Sequence, residues 1–111
     1  MYDENEGYHS YYVYIITNKH RNTFYTGVTN NVAIRLQRHK DNINNGVITF
    51  ASRYQIYLLV YYEKFTWIQN AIAREKELKG WTRDKKLALI RSFNPTFEFL
   101  NDRFKVLESL I

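Results

Sequence analysis

The 111-residue chain contains no cysteine. That excludes a disulfide scaffold, a disulfide-linked partner, a cysteine nucleophile and a cysteine-bound zinc site. Its three histidines, His9, His20 and His39, are too scattered for a histidine metal site. No apolar run approaches the ~20 residues needed to cross a bilayer, so no membrane partner is expected. Residues 1–10 hold Asp3, Glu4 and Glu6 but neither Lys nor Arg, the reverse of a secretory leader. They read as a loose acidic tail, and the chain reads as a soluble, cytoplasmic protein. There is no internal repeat and no low-complexity tract.

What is present excludes disorder: 45% of the residues are hydrophobic and 17% aromatic, enough for one domain with a real core. The formal net charge of +5 understates the body of the chain. Three of the 11 acidic residues sit in the first ten, so residues 11–111 carry all 16 basic side chains against eight acidic ones, an excess of +8. An excess of that size favours a polyanion, nucleic acid first, although plain solubility accounts for it as well. Tyr and Trp interleaved with the basic residues favour nucleic acid.

Residues 11–16 (YYVYII) and 23–28 (TFYTGV) are aromatic and β-branched, the composition of buried strands. The short polar link between them predicts an antiparallel hairpin. Thr29, Asn30 and Asn31 offer caps for a helix over 32–40, with Val32, Arg35, Leu36 and His39 on one face. Residues 41–52 read as a loop around Asn-Asn-Gly, and 54–65 as a third strand, apolar on both faces and therefore central. Thr66 and Gln69 have capping-box spacing before a helix to about Lys79. Gly80 ends it, Thr82 caps a third helix over 83–93, and Asn94-Pro95 stops that one. Helical spacing of Phe97, Leu100, Phe104, Leu107 and Ile111 predicts a fourth helix over 96–110. The expected fold is α+β: a three-stranded antiparallel sheet in β-β-α-β-α-α order, flanked by helices.

Several polar residues fall where a simple core would be apolar. Glu75 lies in the stripe Ile68, Ala71, Ile72, Leu78/Lys79, and an inward carboxylate is costly unless paired or metal-bound. Two readings stay open: a salt bridge to Arg35, or a ligand for Mg²⁺, which keeps most of its waters and needs only one or two carboxylates. Tyr14 and Tyr25 are either core tyrosines or two hydroxyls aimed into one pocket. In the second case Gly27, sharing a strand face with Tyr25, leaves room for a phosphate or a water. A tyrosine titrates near pH ~10, so acting as a base needs a nearby cation or metal-bound water. Arg35 suits a phosphate clamp or a carboxylate partner. His39 suits orienting a tyrosine or shuttling a proton, or a plain helix surface. Lys40, Arg53, Lys79, Lys85 and Lys86 are candidate phosphate contacts or ordinary solvated charges.

Tyr12-Val13-Tyr14 and Tyr25-Thr26-Gly27, followed by Arg35, His39, Glu75 and Asn94, resemble the motifs of the GIY-YIG nuclease superfamily. The likeness covers residues 11–97 and is greatest to small standalone members related to the N-terminal domain of the excinuclease C subunit. It departs at Tyr12, where the first motif has glycine, and at Thr26, where the second has isoleucine. The resemblance implies a metal-dependent endonuclease that hydrolyses DNA phosphodiester bonds in repair or recombination. It implies one Mg²⁺ (or Mn²⁺) on Glu75, a water activated by Tyr14 or Tyr25, charge compensation by Arg35 and support of the base by His39. Asn94 would hydrogen-bond the phosphate or its surroundings, and Gly27 with the five basic residues would meet DNA. The nuclease domain would span 11–97, with 98–111 a C-terminal helix packed on it. Two rivals from other classes are a DNA-binding module of the same fold with little catalysis, and a structural or interaction protein using that C-terminal helix.

Overall fold

A computed structural model describes residues 10–104. In chain order the elements are β1 (Tyr11–Thr17), β2 (Phe24–Thr29), α1 (Val32–Asn44), the one-turn helix α2 (Phe50–Arg53), β3 (Leu58–Phe65), α3 (Ile68–Lys79), α4 (Arg83–Phe93) and a 3₁₀ turn (Asn101–Phe104). The strands form one antiparallel sheet in the order β2-β1-β3. The fold is α+β, in the order the sequence predicts.

Alternation along β1 feeds two cores. Val13 and Ile15 pack with Val60, Tyr61, Ala71, Leu78 and Ile90, under α3 and α4. Tyr14 and Ile16 pack on the other face with Val32, Leu36, Ala51, Ile56 and Leu59, under α1 and α2. In β3 a register shift sets Ile15 opposite Tyr61 and Ile16 opposite Leu59. This β-bulge puts consecutive residues Val60 and Tyr61 into the same core.

Four expectations need correction. The third strand begins at Leu58, and it is an edge strand, not the central one. It is apolar on both faces because helices cover both, and its outer rim is covered too. The Leu100 amide donates to the Leu59 carbonyl, the Asn101 side chain accepts from the Leu59 amide, and it donates to the Tyr57 carbonyl. Those bonds, with Phe97 in one core and Leu100 in the other, hold residues 96–100 non-helical. The predicted fourth helix is therefore replaced by a strap and the 3₁₀ turn, and residues 105–111 lie outside the described part, as do 1–9 of the acidic tail. The stretch expected as a loop holds the end of α1 and α2, closed by a reciprocal cap between Thr49 and Ser52. The N-cap of α3 is Trp67, not Thr66, and makes no side-chain cap bond.

Candidate active site

The site begins with strand register. Tyr14 pairs with Gly27, and Ile16 with Tyr25. Tyr25 thus projects on the same face as Ile16 and Tyr14, and the two tyrosine rings lie 6.3 Å apart. Tyr14 lies directly over Gly27: a Cβ there would stand 2.6 Å from its hydroxyl oxygen. The space that glycine leaves is filled by the Tyr14 ring, so Gly27 is a seat for the tyrosine and not an opening for phosphate.

Helix α1 supplies the next two groups. Asn31 caps it by accepting from the Ile34 amide, while its own amide donates to the Thr29 hydroxyl, which fixes how α1 leaves β2. His39 is buried, and its Nε2 lies 3.0 Å from the Tyr14 hydroxyl. Its ring also meets Tyr25 edge-on, with centroids 5.4 Å apart. Burial, together with the charges of Arg35 and Arg38, lowers the His39 pKa to about 4. Burial pushes the Tyr14 hydroxyl well above the ordinary phenol value. Tyr25 and Glu75 push it the same way, and Arg35 works against them. At neutral pH both partners are therefore uncharged, and the Tyr14 O–H donates to His39 Nε2 when the imidazole carries its proton on Nδ1.

Glu75 stands on α3, which packs beneath the opposite face of the sheet, and its charge helps raise the Tyr14 pKa. The stripe expected for α3 is displaced: Ala71 and Leu78 are buried, whereas Ile68 and Ile72 are largely exposed. Glu75 sits at the margin, its side chain 20% exposed and paired with Lys79 at 3.0 Å rather than with Arg35. A single carboxylate retaining access to solvent fits Mg²⁺ or Mn²⁺, which keep bound waters. Among the described residues no group of three or more His, Cys, Asp and Glu could enclose a metal, so a closed zinc-type site does not fit.

Tyr14, Tyr25, Arg35 and His39 are thus brought together; Glu75 stands on α3 with its charge felt at Tyr14 but outside the cleft lining, and Asn94 lies apart. Asn94 is buried at the C-terminus of α4, where its amide donates to the Val60 and Glu98 carbonyls and its oxygen accepts from the Glu98 amide. Those bonds engage both ends of the side chain in tying the strap to β3. Asn94 is a structural clamp, which corrects its expected phosphate contact. Tyr12 packs edge-on against Tyr62 and Phe104, toward β3, and so lies beside Tyr14 without covering it. The expected basic contacts are spread out. Lys40 lines a groove with Tyr57 and Phe104, Arg53 one near Lys19, and Lys86 one near Arg83, while Lys85 lies over the Trp81 ring.

A cleft of about 170 Å³ opens from this cluster, lined by Tyr25, Arg35, Arg38, His39, Asn42, Thr49 and Phe50. Sequence reasoning missed Arg38 and Phe50. Arg38 has a legible signal, one helical turn beyond Arg35 and beside His39; Phe50 stands in a stretch expected to be loop.

Comparison with known proteins shows the family. The family model of the GIY-YIG catalytic domain matches residues 10–88. A UPF0213 protein of Staphylococcus haemolyticus is 39% identical over 80 residues, covering 72% of this chain and 93% of its own. A UPF0213 protein of Staphylococcus aureus is 35% identical over 82 residues, covering 74% of this chain and 95% of its own. Among solved structures, the solution NMR structure of a UPF0213 protein from Bacillus halodurans is 31% identical. It covers 73% of this chain and 82% of its own, with a TM-score of 0.45.

Proposed function

This chain belongs to the GIY-YIG family, a nuclease family, and from that premise we propose that it is a divalent-metal-dependent endonuclease hydrolysing DNA phosphodiester bonds. The observation that carries the reading is the hydrogen bond from buried Tyr14 to His39, which lines a cleft together with Arg35 and Arg38. A buried phenol needs some hydrogen-bond partner, but here the partner is a histidine that is itself faced by two guanidiniums.

In this reading Arg35 binds the scissile phosphate and offsets the negative charge that grows during attack. Tyr14 takes a proton from the attacking water as its own proton passes to His39 Nε2. Before substrate arrives His39 is a weak base, chiefly because it is buried and further because Arg35 and Arg38 face it. A bound phosphate neutralises part of that field and raises the basicity of His39 when it is needed. Tyr25, half-buried beside both groups, positions the water. Glu75 would hold one Mg²⁺ or Mn²⁺, which when bound supplies polarisation of the phosphate and stabilisation of the leaving oxygen. Lys79, itself more than half exposed, releases Glu75 at little cost. A role in repair or recombination, in the cytoplasm, fits an enzyme of this kind.

The test is cleavage of a panel of DNA structures (single strand, duplex, flap, branched) with Mg²⁺, Mn²⁺ or EDTA. Metal-dependent cleavage is expected, abolished by EDTA. Salt-sensitive binding with no cleavage of any member would reduce the protein to a DNA-binding module. Absence of both would leave an interaction protein.

A further inference from the structure

The cleft does not stop at the catalytic cluster. Phe50 walls it on one side, and the same ring walls a second cleft of about 430 Å³ bounded by Asn22, Phe24, Tyr54, Arg83 and Lys86. Phe50 and Tyr54, four residues apart across α2, stand with ring centroids 5.0 Å apart and planes tilted by 52°. They remain 53% and 47% exposed. The helix that carries them is well held: Ala51 is buried in the core and the Thr49–Ser52 box closes the N-terminus. Single exposed aromatics are ordinary, but a fixed exposed pair between two polar clefts marks a contact surface.

Its surroundings say what it contacts. Arg38 lies on the catalytic side, Arg83 and Lys86 on the far side, and Tyr54 continues into a groove with Lys19 and Arg53. Among the described residues Arg38, Arg53, Arg83 and Lys86 form no ion pair with a carboxylate. Aromatic faces set among uncompensated cations match a nucleic-acid strand whose bases are free to stack. An intact duplex offers only backbone and groove edges, because its base faces are covered by their neighbours.

Resting on the nuclease reading of the adjoining cleft, we propose that Phe50 and Tyr54 form a stacking platform for an unpaired base next to the scissile phosphate. Arg83 and Lys86 hold the strand beyond it. The substrate class is then DNA with at least one unpaired nucleotide at the cut, not a continuous duplex.

Binding in EDTA keeps this separate from catalysis. Fluorescence anisotropy of the full chain would compare a single-stranded oligonucleotide with its duplex, for the parent and for Phe50→Ala, Tyr54→Ala and Phe50→Trp. The parent is expected to prefer the single strand. Each Ala variant should lose about 10-fold in single-strand affinity, the scale of one lost base stack, and move the single-strand-to-duplex ratio toward one. Phe50→Trp should keep the preference, and thermal melts confirm that each variant is folded. Ala variants binding the single strand within about twofold of the parent, or a parent with no preference, would overturn the platform. Cleavage with Mg²⁺ is scored separately: cleavage without the preference removes the platform alone, and the preference without cleavage removes the nuclease alone.

Discussion

Tyr14 lies across the bare backbone of Gly27, so close that a methyl group there would stand 2.6 Å from its hydroxyl oxygen and 2.7 Å from Cζ. The ring has no room to retreat, since Tyr14 is fully buried between β2 and α1. Gly27→Ala should therefore move the ring, break its bond to His39 and cost roughly 1–3 kcal/mol by overpacking. Chemical denaturation and cleavage rates measured together check this. A variant with parental stability and rate would show that Tyr14 is not held by its seat.

Removing one hydroxyl at a time separates the two tyrosines. Tyr14→Phe keeps the ring but leaves His39 Nε2 buried without its partner, costing roughly 1–3 kcal/mol. Cleavage should fall about 100-fold or more, as for loss of a general base. Tyr25→Phe should fold as the parent does and lose less. Equal rates for parent and both variants in single-turnover assays would make both tyrosines core residues.

Glu75→Gln tests the metal ligand apart from the fold. Its partner Lys79 is more than half exposed and one helical turn away, so stability should change by no more than about 0.5 kcal/mol. Cleavage should be lost while DNA binding survives, because the basic contacts lie elsewhere. Retained Mg²⁺-dependent cleavage in the folded variant would end the assignment of Glu75.

His39 makes the fold acid-sensitive in a defined window. Its folded pKa of about 4 lies below the value of 6.5 for an unperturbed histidine. Below pH ~6.5 the unfolded chain takes up a proton that the folded chain refuses, so stability is complete above that pH. It drains away as pH falls from 6.5 to about 4, by roughly 3 kcal/mol in all. Urea unfolding at pH 7, 5.5 and 4 should show this loss in the parent and much less of it in His39→Gln. A phosphate ester bound at Arg35 should raise the His39 pKa, read from its ring protons by NMR.

Asn94→Ala should destabilise by roughly 2–4 kcal/mol, leaving the Val60 and Glu98 backbone groups without the partners they now have. The folded fraction should cleave at the parental rate per active molecule. A large loss of rate with unchanged stability would return Asn94 to the site.

Parts of this were legible in the sequence because several signals coincided there. The hairpin, α1 and α4 each have a strand or stripe pattern bounded by a side-chain cap, and Asn31 and Thr82 do cap as expected. Arg35 and His39 stood out because they share a helix face with Val32 and Leu36. The errors over 96–104, at Asn94 and at Gly27 have one physical origin, pairing between distant segments. Helical spacing over 96–104 could not reveal that Asn101 would bond β3, nor could Asn94 before Pro95 reveal its bonds to Val60. Space at Gly27 was readable, but its occupant comes from the neighbouring strand.

Alternation in β1 also governs which changes of length the chain can survive. Inserting or deleting one residue near Tyr14 would exchange the two faces, putting Val13 or Ile15 against His39. The phenol would then enter an aliphatic layer beside Ala71, Leu78 and Ile90. No intermediate position exists, since a strand has only two sides. The spacing between Tyr12 and Thr17 is therefore as demanding as the identity of Tyr14, and natural variation in length should collect at exposed turns such as 44–48.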